Sequence, residues 1–327
     1  MQERDFKPYG YVGALTLGGG GLGQVWGKTT REEAIATVNL ALEKGINHID
    51  VAPMYGNGEA ESVIGEVFKG KKLEEVKITT KCRLGTLPDE EVYEHLNASL
   101  TRSLDRLNME RVDLFLLHTQ LREDNFQLLT LNEHREKVTT SLSCYFNAAI
   151  PAFERLKTEG KIGSWGIGGL GQNKAVISAI NHEIPPEAIQ CVINPLNSAG
   201  AIGYVDKNYD PNSILAESQK LNIPILGIRA VQAGALTSQM DREPHESGRD
   251  IKDFEDYERA EPFRGLAEEW RISPSVLAHR YALSADKVSS VILGVKNRLE
   301  LSECLQAEEH GKLTKKQILK IEEALSN

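Results

Sequence analysis
The sequence predicts an α/β fold, a (β/α)8 barrel with long loops at its C-terminal face. Short apolar runs alternate with longer helical patterns from one end of the chain to the other. Eight such runs are spread over 327 residues, which suits a decorated barrel better than an open doubly wound sheet. Polar residues able to do chemistry stand where the runs end, at Asp50, Lys81 and His118. Parallel strands separated by helices send all their C-terminal ends to one face, where such folds carry their sites.

The elements follow in order. The first strand, Val12 to Leu17, enters the glycine-rich stretch Gly18-Gly19-Gly20-Gly21-Leu22-Gly23. That stretch contains Gly-x-Gly-x-x-Gly, but the acidic residue expected about 20 positions on would fall inside the following helix, so a dinucleotide fingerprint is rejected. The helix starts at Thr30, a good cap, carries Ala34, Ile35, Val38 and Leu42, and stops at Gly45. Strand two, Ile46 to Ile49, ends at Asp50, and a helix from Glu59 carries Val63, Ile64 and Val67. Strand three, Val76 to Thr80, ends at Lys81, and a helix from Asp89 carries Leu96, Leu100, Leu104 and Leu107. Strand four, Val112 to Leu117, ends at His118.

Gln120 to Tyr145 has no clear period. Phe146 to Thr158 reads as helix, Gly163 to Ile167 as strand five, Lys174 to Ile180 as helix and Ala188 to Asn194 as strand six. A helix with Ile214, Leu215, Ala216 and Leu221 precedes strand seven, Ile223 to Ile228. The charged stretch Asp241 to Glu261 reads as a long loop or a partly ordered excursion. Helices Pro262 to Trp270 and Pro274 to Leu283 lead to strand eight, Val288 to Leu293, and helices Leu299 to Ala307 and Thr314 to Leu325 close the chain. Residues 1–327 are expected to form a single barrel domain.

The net charge of -9 argues against nucleic acid or an anionic membrane as partner. Cys82, Cys144, Cys191 and Cys304 are scattered without metal-ligand or redox spacing, so they read as reduced thiols and no metal site is expected. The acidic N-terminal segment does not read as a secretory signal, and no apolar run approaches the ~20 residues that span a bilayer. A cytoplasmic location is the expectation. Nothing in the sequence sets an oligomeric state.

Asp50, Tyr55, Lys81 and His118 should meet in one pocket. A phenol is a poor acid at neutral pH unless its anion is stabilised. A nearby ammonium supplies that stabilisation, a carboxylate holds the ammonium, and an imidazole can hydrogen-bond a substrate oxygen. Together they are equipped to protonate an alkoxide as hydride reaches a carbonyl carbon, and a nicotinamide cofactor must bring the hydride. Taken singly the bland readings win: an Asp at a strand end is usually a cap, a Lys or His there a solvated rim residue, and a loop Tyr a packing residue. Together, at successive strand ends, they favour the site.

These segments also resemble a known family. Ile49-Asp50-Val51-Ala52-Pro53-Met54-Tyr55-Gly56-Asn57-Gly58, with Glu61 and Ile64-Gly65, is similar to the strand-two signature of the aldo-keto reductases. Ile78-Thr79-Thr80-Lys81 and Val112 to His118 resemble the lysine and histidine segments of that family. Gly160 to Ile167 and Val291-Ile292-Leu293-Gly294-Val295 resemble its fifth and eighth strands. The resemblance implies Tyr55 as general acid-base, Lys81 and Asp50 as its tuners and His118 as the group that orients the carbonyl. It implies cofactor contacts at Gly19, Gly20, Asp50, Gly168, Gly169, Gln190, Arg229, Val231 and Gly234, with Gly294, Lys296 and Arg298 around an adenosine 2′-phosphate. Departures stand at Gly168-Gly169 in place of Ser-Asn, Ile193 in place of an aromatic, Gly227-Ile228-Arg229-Ala230 after strand seven, and Cys304 in place of Asn.

The function expected first is reduction of a small-molecule aldehyde or ketone with NADPH. The second is NAD-dependent oxidation of a sugar lactol, to which Pro53 to Gly58 is similar in form. The third is a cofactor-binding regulatory subunit resembling the β subunits of voltage-gated potassium channels, suggested by the departures at the nicotinamide clamp and by Gln120 to Tyr145. Substrate choice is expected to reside in the loops Gly21 to Lys28, Gln120 to Tyr145 and Asn197 to Asn208 and in the C-terminal tail.

Overall fold
Each strand places alternate side chains on opposite faces, and in this chain the two faces carry different chemistry. Leu15, Leu17, Ile49, Ile78, Phe115, Leu117, Trp165, Ile167, Ile189, Cys191, Val291 and Leu293 pack outward against helices in one large core. The alternate residues face the interior and are buried too: Thr16, His48, Asp50, Thr79, Lys81 and Gln190 form a polar set, and Leu114, Leu116, Ala188 and Leu226 an apolar one. The period of two therefore assigns apolar residues to the helix layer and gathers the polar set in part of the interior. The computed structural model describes residues 1–70, 75–127, 137–203 and 205–326.

Eight parallel strands close into a (β/α)8 TIM barrel. In chain order they are β3 (Leu15–Gly18), β4 (His48–Asp50), β5 (Lys77–Cys82), β6 (Val112–Leu117), β9 (Ile162–Ile167), β10 (Ala188–Val192), β11 (Ile225–Ile228) and β12 (Val288–Leu293), and β12 pairs back on β3. Local chemistry sets the helix ends. Thr30 accepts from Glu33 N and starts Arg31–Glu43; Thr314 and Gln317 form a capping box at Lys315–Leu325. Asn108 and Asn222 take the left-handed conformation that ends Asp89–Leu107 and Pro211–Leu221.

The first predicted strand is two strands. β1 (Glu3–Phe6) and β2 (Gly10–Gly13) form an antiparallel hairpin, and the barrel strand starts only at Leu15. Phe6 and Val12 pack against Leu114, Leu116, Ala188 and Leu226, so the hairpin plugs the barrel interior and needs its own apolar run. Gly19–Leu22 is a short helical turn. Space requires glycine at Gly21, where a Cβ would lie 1.9 Å from the Val295 carbonyl oxygen.

Gln120 to Tyr145 includes a parallel pair, β7 (Gln120–Arg122) with β8 (Thr139–Ser141), and residues 128–136 of that stretch lie outside the described residues. The helix expected from Phe146 begins as a π-turn, Tyr145–Ala149, before Ile150–Thr158. The Asp241 to Glu261 excursion is ordered into the helix Ile251–Arg259. Its buried Asp253 and Asp256 explain this: Arg229 Nη2 donates to Asp253 at 2.6 Å, and Gln232 Nε2 and Ser198 Oγ each donate to Asp256 at 2.6 Å. Among the described residues no helix is long and apolar enough to cross a membrane.

Candidate active site
Asp50 is the last residue of β4, Lys81 the penultimate residue of β5, and His118 follows β6. Alternation turns Asp50 and Lys81 inward, as it does His48 and Thr79 one step earlier. Thr80, between Thr79 and Lys81, faces the helices and donates to the buried Glu61 at 2.6 Å, which also accepts from Arg106 Nε at 2.6 Å. That outer network fixes the backbone beside Lys81. Tyr55 is set by the turn after β4, where Gly56, Asn57 and Gly58 all have positive φ (65°, 53° and 94°). Gly and Asn adopt that region at least cost, which explains Gly-Asn-Gly directly after the tyrosine.

The four side chains meet. Lys81 Nζ donates to Asp50 Oδ1, to Val51 O at 2.8 Å and to Tyr55 Oη at 3.4 Å. The same nitrogen lies 4.8 Å from the centre of the Tyr55 ring. The Tyr55 and His118 rings stand edge to face with centroids 6.1 Å apart. Asp50 and Lys81 are buried, whereas Tyr55 and His118 are half-buried. An ion pair thus forms the floor, and a phenol and an imidazole face outward above it.

Electrostatics assign the protonation states. Burial works against the Lys81 ammonium, but Asp50 and Tyr55 outweigh it and raise its pKa. Burial lifts the Asp50 carboxyl, and Lys81 and Gln190 pull it back. Geometry decides that pair: Asp50 Oδ2 accepts from Gln190 Nε2 at 2.8 Å and Oδ1 from Lys81, so an added proton would find no acceptor, and the pair is ammonium and carboxylate. Burial raises the Tyr55 phenol above its ordinary value, and Lys81 opposes the rise. His118 is pushed well below the usual imidazole range by burial and then by Lys81 and Arg83, so it is neutral at physiological pH.

His48, inside the barrel, is also neutral, lowered to about 3 by burial and by Lys81. Its Nδ1 lies 2.9 Å from Thr16 Oγ1, and its Nε2 lies 2.7 Å from Thr79 Oγ1 and 3.0 Å from Tyr9 Oη. Burial lowers His279 as well. Unfolding returns all three to the ordinary value near 6.5. Their contribution to stability is therefore complete above about pH 6.5 and is lost as pH falls towards the folded values, at about 1.4 kcal/mol per pH unit for each refused proton. Urea unfolding at pH 7 and pH 5 should show markedly lower stability at pH 5; equal stability would contradict neutral burial.

The residues implicated in cofactor binding do not all sit free for that role. Gln190 is held by Asp50, which ties the strand-six position to the ion pair. Gly169, with φ of 60°, lies so close to Gln190 that a Cβ would be 2.1 Å from its carbonyl oxygen. The Gly168 N–H is already spent on Leu117 O at 3.0 Å. Arg229 is buried and engaged by Asp253 and Gln232 Oε1, so the expected phosphate donor serves as the anchor of helix Ile251–Arg259. Val231 and Gly234 lie in the turn that this network supports: Gly234 N donates to Val231 O at 3.0 Å, and Gln232 and Ala233 have positive φ there.

Lys296 is shared by Asp241 at 2.5 Å and Glu300 at 2.6 Å, and Arg298 is paired with Glu33 at 2.8 Å. Gly19 is pressed on Val51 and Ala60, and the Trp26 indole roofs Gly20 and Gly294. Ile193 fills the space over Gly227, and Cys304 is buried 3.6 Å from His279 Nε2. Sequence reading missed Trp26, Glu33 and the Asp253–Asp256 anchor. Trp26 had a signal, as a lone large aromatic in a glycine-rich loop; the others had none.

A nicotinamide dinucleotide fits this site unevenly. After β9, Gly169 backs onto the Gln190 carbonyl, and Gln190 bonds Asp50, so glycine backbone without side chains stands next to the residue that touches the ion pair and leaves room for a flat ring there. At the Lys296–Arg298 end each cation already has a carboxylate partner.

The model of the "Aldo/keto reductase family" matches residues 14–326. The chain is 24% identical over 298 residues to an L-galactose dehydrogenase of Arabidopsis thaliana, covering 90% of this chain and 84% of that one. It is 33% identical over 124 residues to an NADH-specific methylglyoxal reductase of Escherichia coli, covering 33% of this chain and 37% of that one. Its fold matches the glycerol dehydrogenase structure from Gluconobacter oxydans with a TM-score of 0.71 at 21% identity, over 99% of this chain and 95% of that one. The chain is an oxidoreductase-type barrel and belongs to the aldo/keto reductase family.

Proposed function
We propose that this chain, acting as one barrel unit over residues 1–327, interconverts a small carbonyl compound and its alcohol, with Tyr55 giving or taking the proton. The observation that carries the reading is the half-buried Tyr55 hydroxyl on a buried Lys81–Asp50 pair, edge to face with a neutral His118. A bound nicotinamide supplies or accepts the hydride. Tyr55 Oη protonates the alkoxide in reduction and removes the alcohol proton in oxidation. Lys81 lowers the cost of the phenolate. Neutral His118 keeps an N–H for the substrate oxygen without adding a second positive charge. Gln190, locked by Asp50, links the carboxamide side of the site to the ion pair.

In its first form the reading is reduction of an aldehyde or ketone; the expectation of NADPH drew on Lys296 and Arg298 at the start of the helix Arg298–Glu309, and both are paired with carboxylates in the fold. A second reading, oxidation of a sugar-type lactol with NAD, is favoured by the carboxylates that hold both cations and by the names of two relatives, an L-galactose dehydrogenase and an NADH-specific reductase. A purely regulatory role has less support, because Lys81 bonds both Asp50 and Tyr55 and His118 packs edge to face on Tyr55, an arrangement suited to proton transfer. A panel of aldehydes, ketones and sugars, scored in both directions by absorbance of NADH and NADPH, tests the proposal. Turnover of at least one class is expected, and none with any class would overturn it.

A further inference from the structure
Five charged side chains converge beside the eighth barrel strand. Lys296 and Arg298 follow β12, Glu300 lies in the first turn of Arg298–Glu309, Asp241 comes from the segment after β11, and Glu33 comes from Arg31–Glu43. In barrels of this architecture the loops after strands seven and eight and a helix N-terminus form the phosphate-binding corner. This corner is filled by the protein's own carboxylates.

Backbone donors are filled as well. Arg298 N donates to Glu33 Oε1 at 3.0 Å, Lys296 N to Glu300 Oε2 at 2.8 Å, and Glu300 N to the Asn297 cap at 2.9 Å. Glu33 reaches its site with two contacts from the guanidinium, at 3.1 Å from Nε and 2.8 Å from Nη2, a geometry that orients both carboxylate oxygens. Arg298 holds the Glu33 carboxyl below its ordinary range, so it stays ionised at neutral pH.

From this corner we infer that Glu33, with Glu300 and Asp241, selects NAD(H) over NADP(H). The inference rests on the proposed function and deepens it. Three carboxylates against two cations leave the corner with a net negative charge. A phosphate monoester brings about -1.5 to -2 more at neutral pH, and its oxygens can only accept hydrogen bonds. Binding it would require breaking the Arg298–Glu33 or Lys296–Glu300 pair and leaving a carboxylate beside it. A ribose diol donates hydrogen bonds, and a carboxylate is the partner that accepts them. Lys296 and Arg298 orient the selecting carboxylates, and Glu33 is a specificity-determining residue contributed by a helix remote in sequence from the corner.

Quenching of tryptophan fluorescence, titrated separately with NADH and NADPH, tests this without turnover. The wild-type chain is expected to bind NADH at least about tenfold more tightly, as one lost charge-assisted contact implies. In a Glu33→Gln/Glu300→Gln variant the ratio should move towards NADPH by about tenfold or more, with the ion-pair floor untouched. Equal wild-type affinities, or tighter NADPH, would overturn the inference and leave the proposed function standing. An undiminished NADH preference in a folded double variant would overturn the assignment to these carboxylates. Binding of neither nucleotide would overturn both the inference and the function beneath it.

Discussion
Replacing Tyr55 with Phe is expected to lower the rate of carbonyl conversion by on the order of 10²–10⁴-fold, the range for loss of a positioned acid or base. Nucleotide affinity should stay nearly intact. The asymmetry follows from the geometry. The ring keeps its edge-to-face contact with His118 and its place over the Lys81 ammonium, and only the 3.4 Å contact from Lys81 Nζ to the hydroxyl disappears. Stopped-flow turnover with a nucleotide titration on the same preparation checks both halves. A variant with near-wild-type turnover on several carbonyls would remove Tyr55 from the role of acid.

Lys81→Met is expected to be comparably damaging in rate and to act on stability as well. Lys81 is the charge that opposes the rise of the Tyr55 pKa caused by burial. Without it the phenol titrates higher still, so oxidation, which needs the phenolate, should have its rising limb displaced to higher pH. Removal also strands the Asp50 carboxylate in the interior. Breaking a buried pair from one side costs about 3–5 kcal/mol, measurable by urea unfolding. Asp50→Asn should slow turnover less, because Lys81 keeps its bond to Val51 O and remains beside Tyr55. A larger effect from Asp50→Asn than from Lys81→Met would mean that the carboxylate takes a direct part.

The barrel was legible because its signals are local. A period of two over each strand and a period near four over each helix lie within a dozen residues, and the order of the eight barrel strands followed from them. Asp50, Lys81 and His118 were legible for the same reason: each closes an apolar run, and parallel strands bring such ends together. Tyr55 was legible only as part of the family-like segment Ile49 to Gly58; the positive-φ turn at Gly56-Asn57-Gly58 that places it appears in the fold.

Pairings made across the fold were not legible. Nothing near Arg298 in sequence announces Glu33, 265 residues away, and nothing near Arg229 announces Asp253 on a helix in a stretch that reads as loop. From the sequence a cation beside the eighth strand reads as a phosphate ligand, and the Glu33 carboxylate paired with Arg298 appears only in the fold. The N-terminal hairpin was hidden because Val12 to Leu17 is continuous in hydrophobicity, whereas β2 plugs the barrel and β3 belongs to its wall.

The chemistry proposed for this chain is hydride exchange at a carbonyl, gated by a proton on Tyr55. Its most direct test uses NADH, and NADPH in parallel, with both C4 hydrogens of the dihydronicotinamide replaced by deuterium, incubated with an aldehyde that the wild-type chain reduces, with the alcohol analysed by mass spectrometry. One deuterium on the carbinol carbon is expected with wild-type protein. The same product is expected to form on the order of 10²–10⁴-fold more slowly with Tyr55→Phe protein that still binds the nucleotide. Deuterated alcohol appearing at the wild-type rate in the Tyr55→Phe variant, or alcohol formed without deuterium, would contradict it.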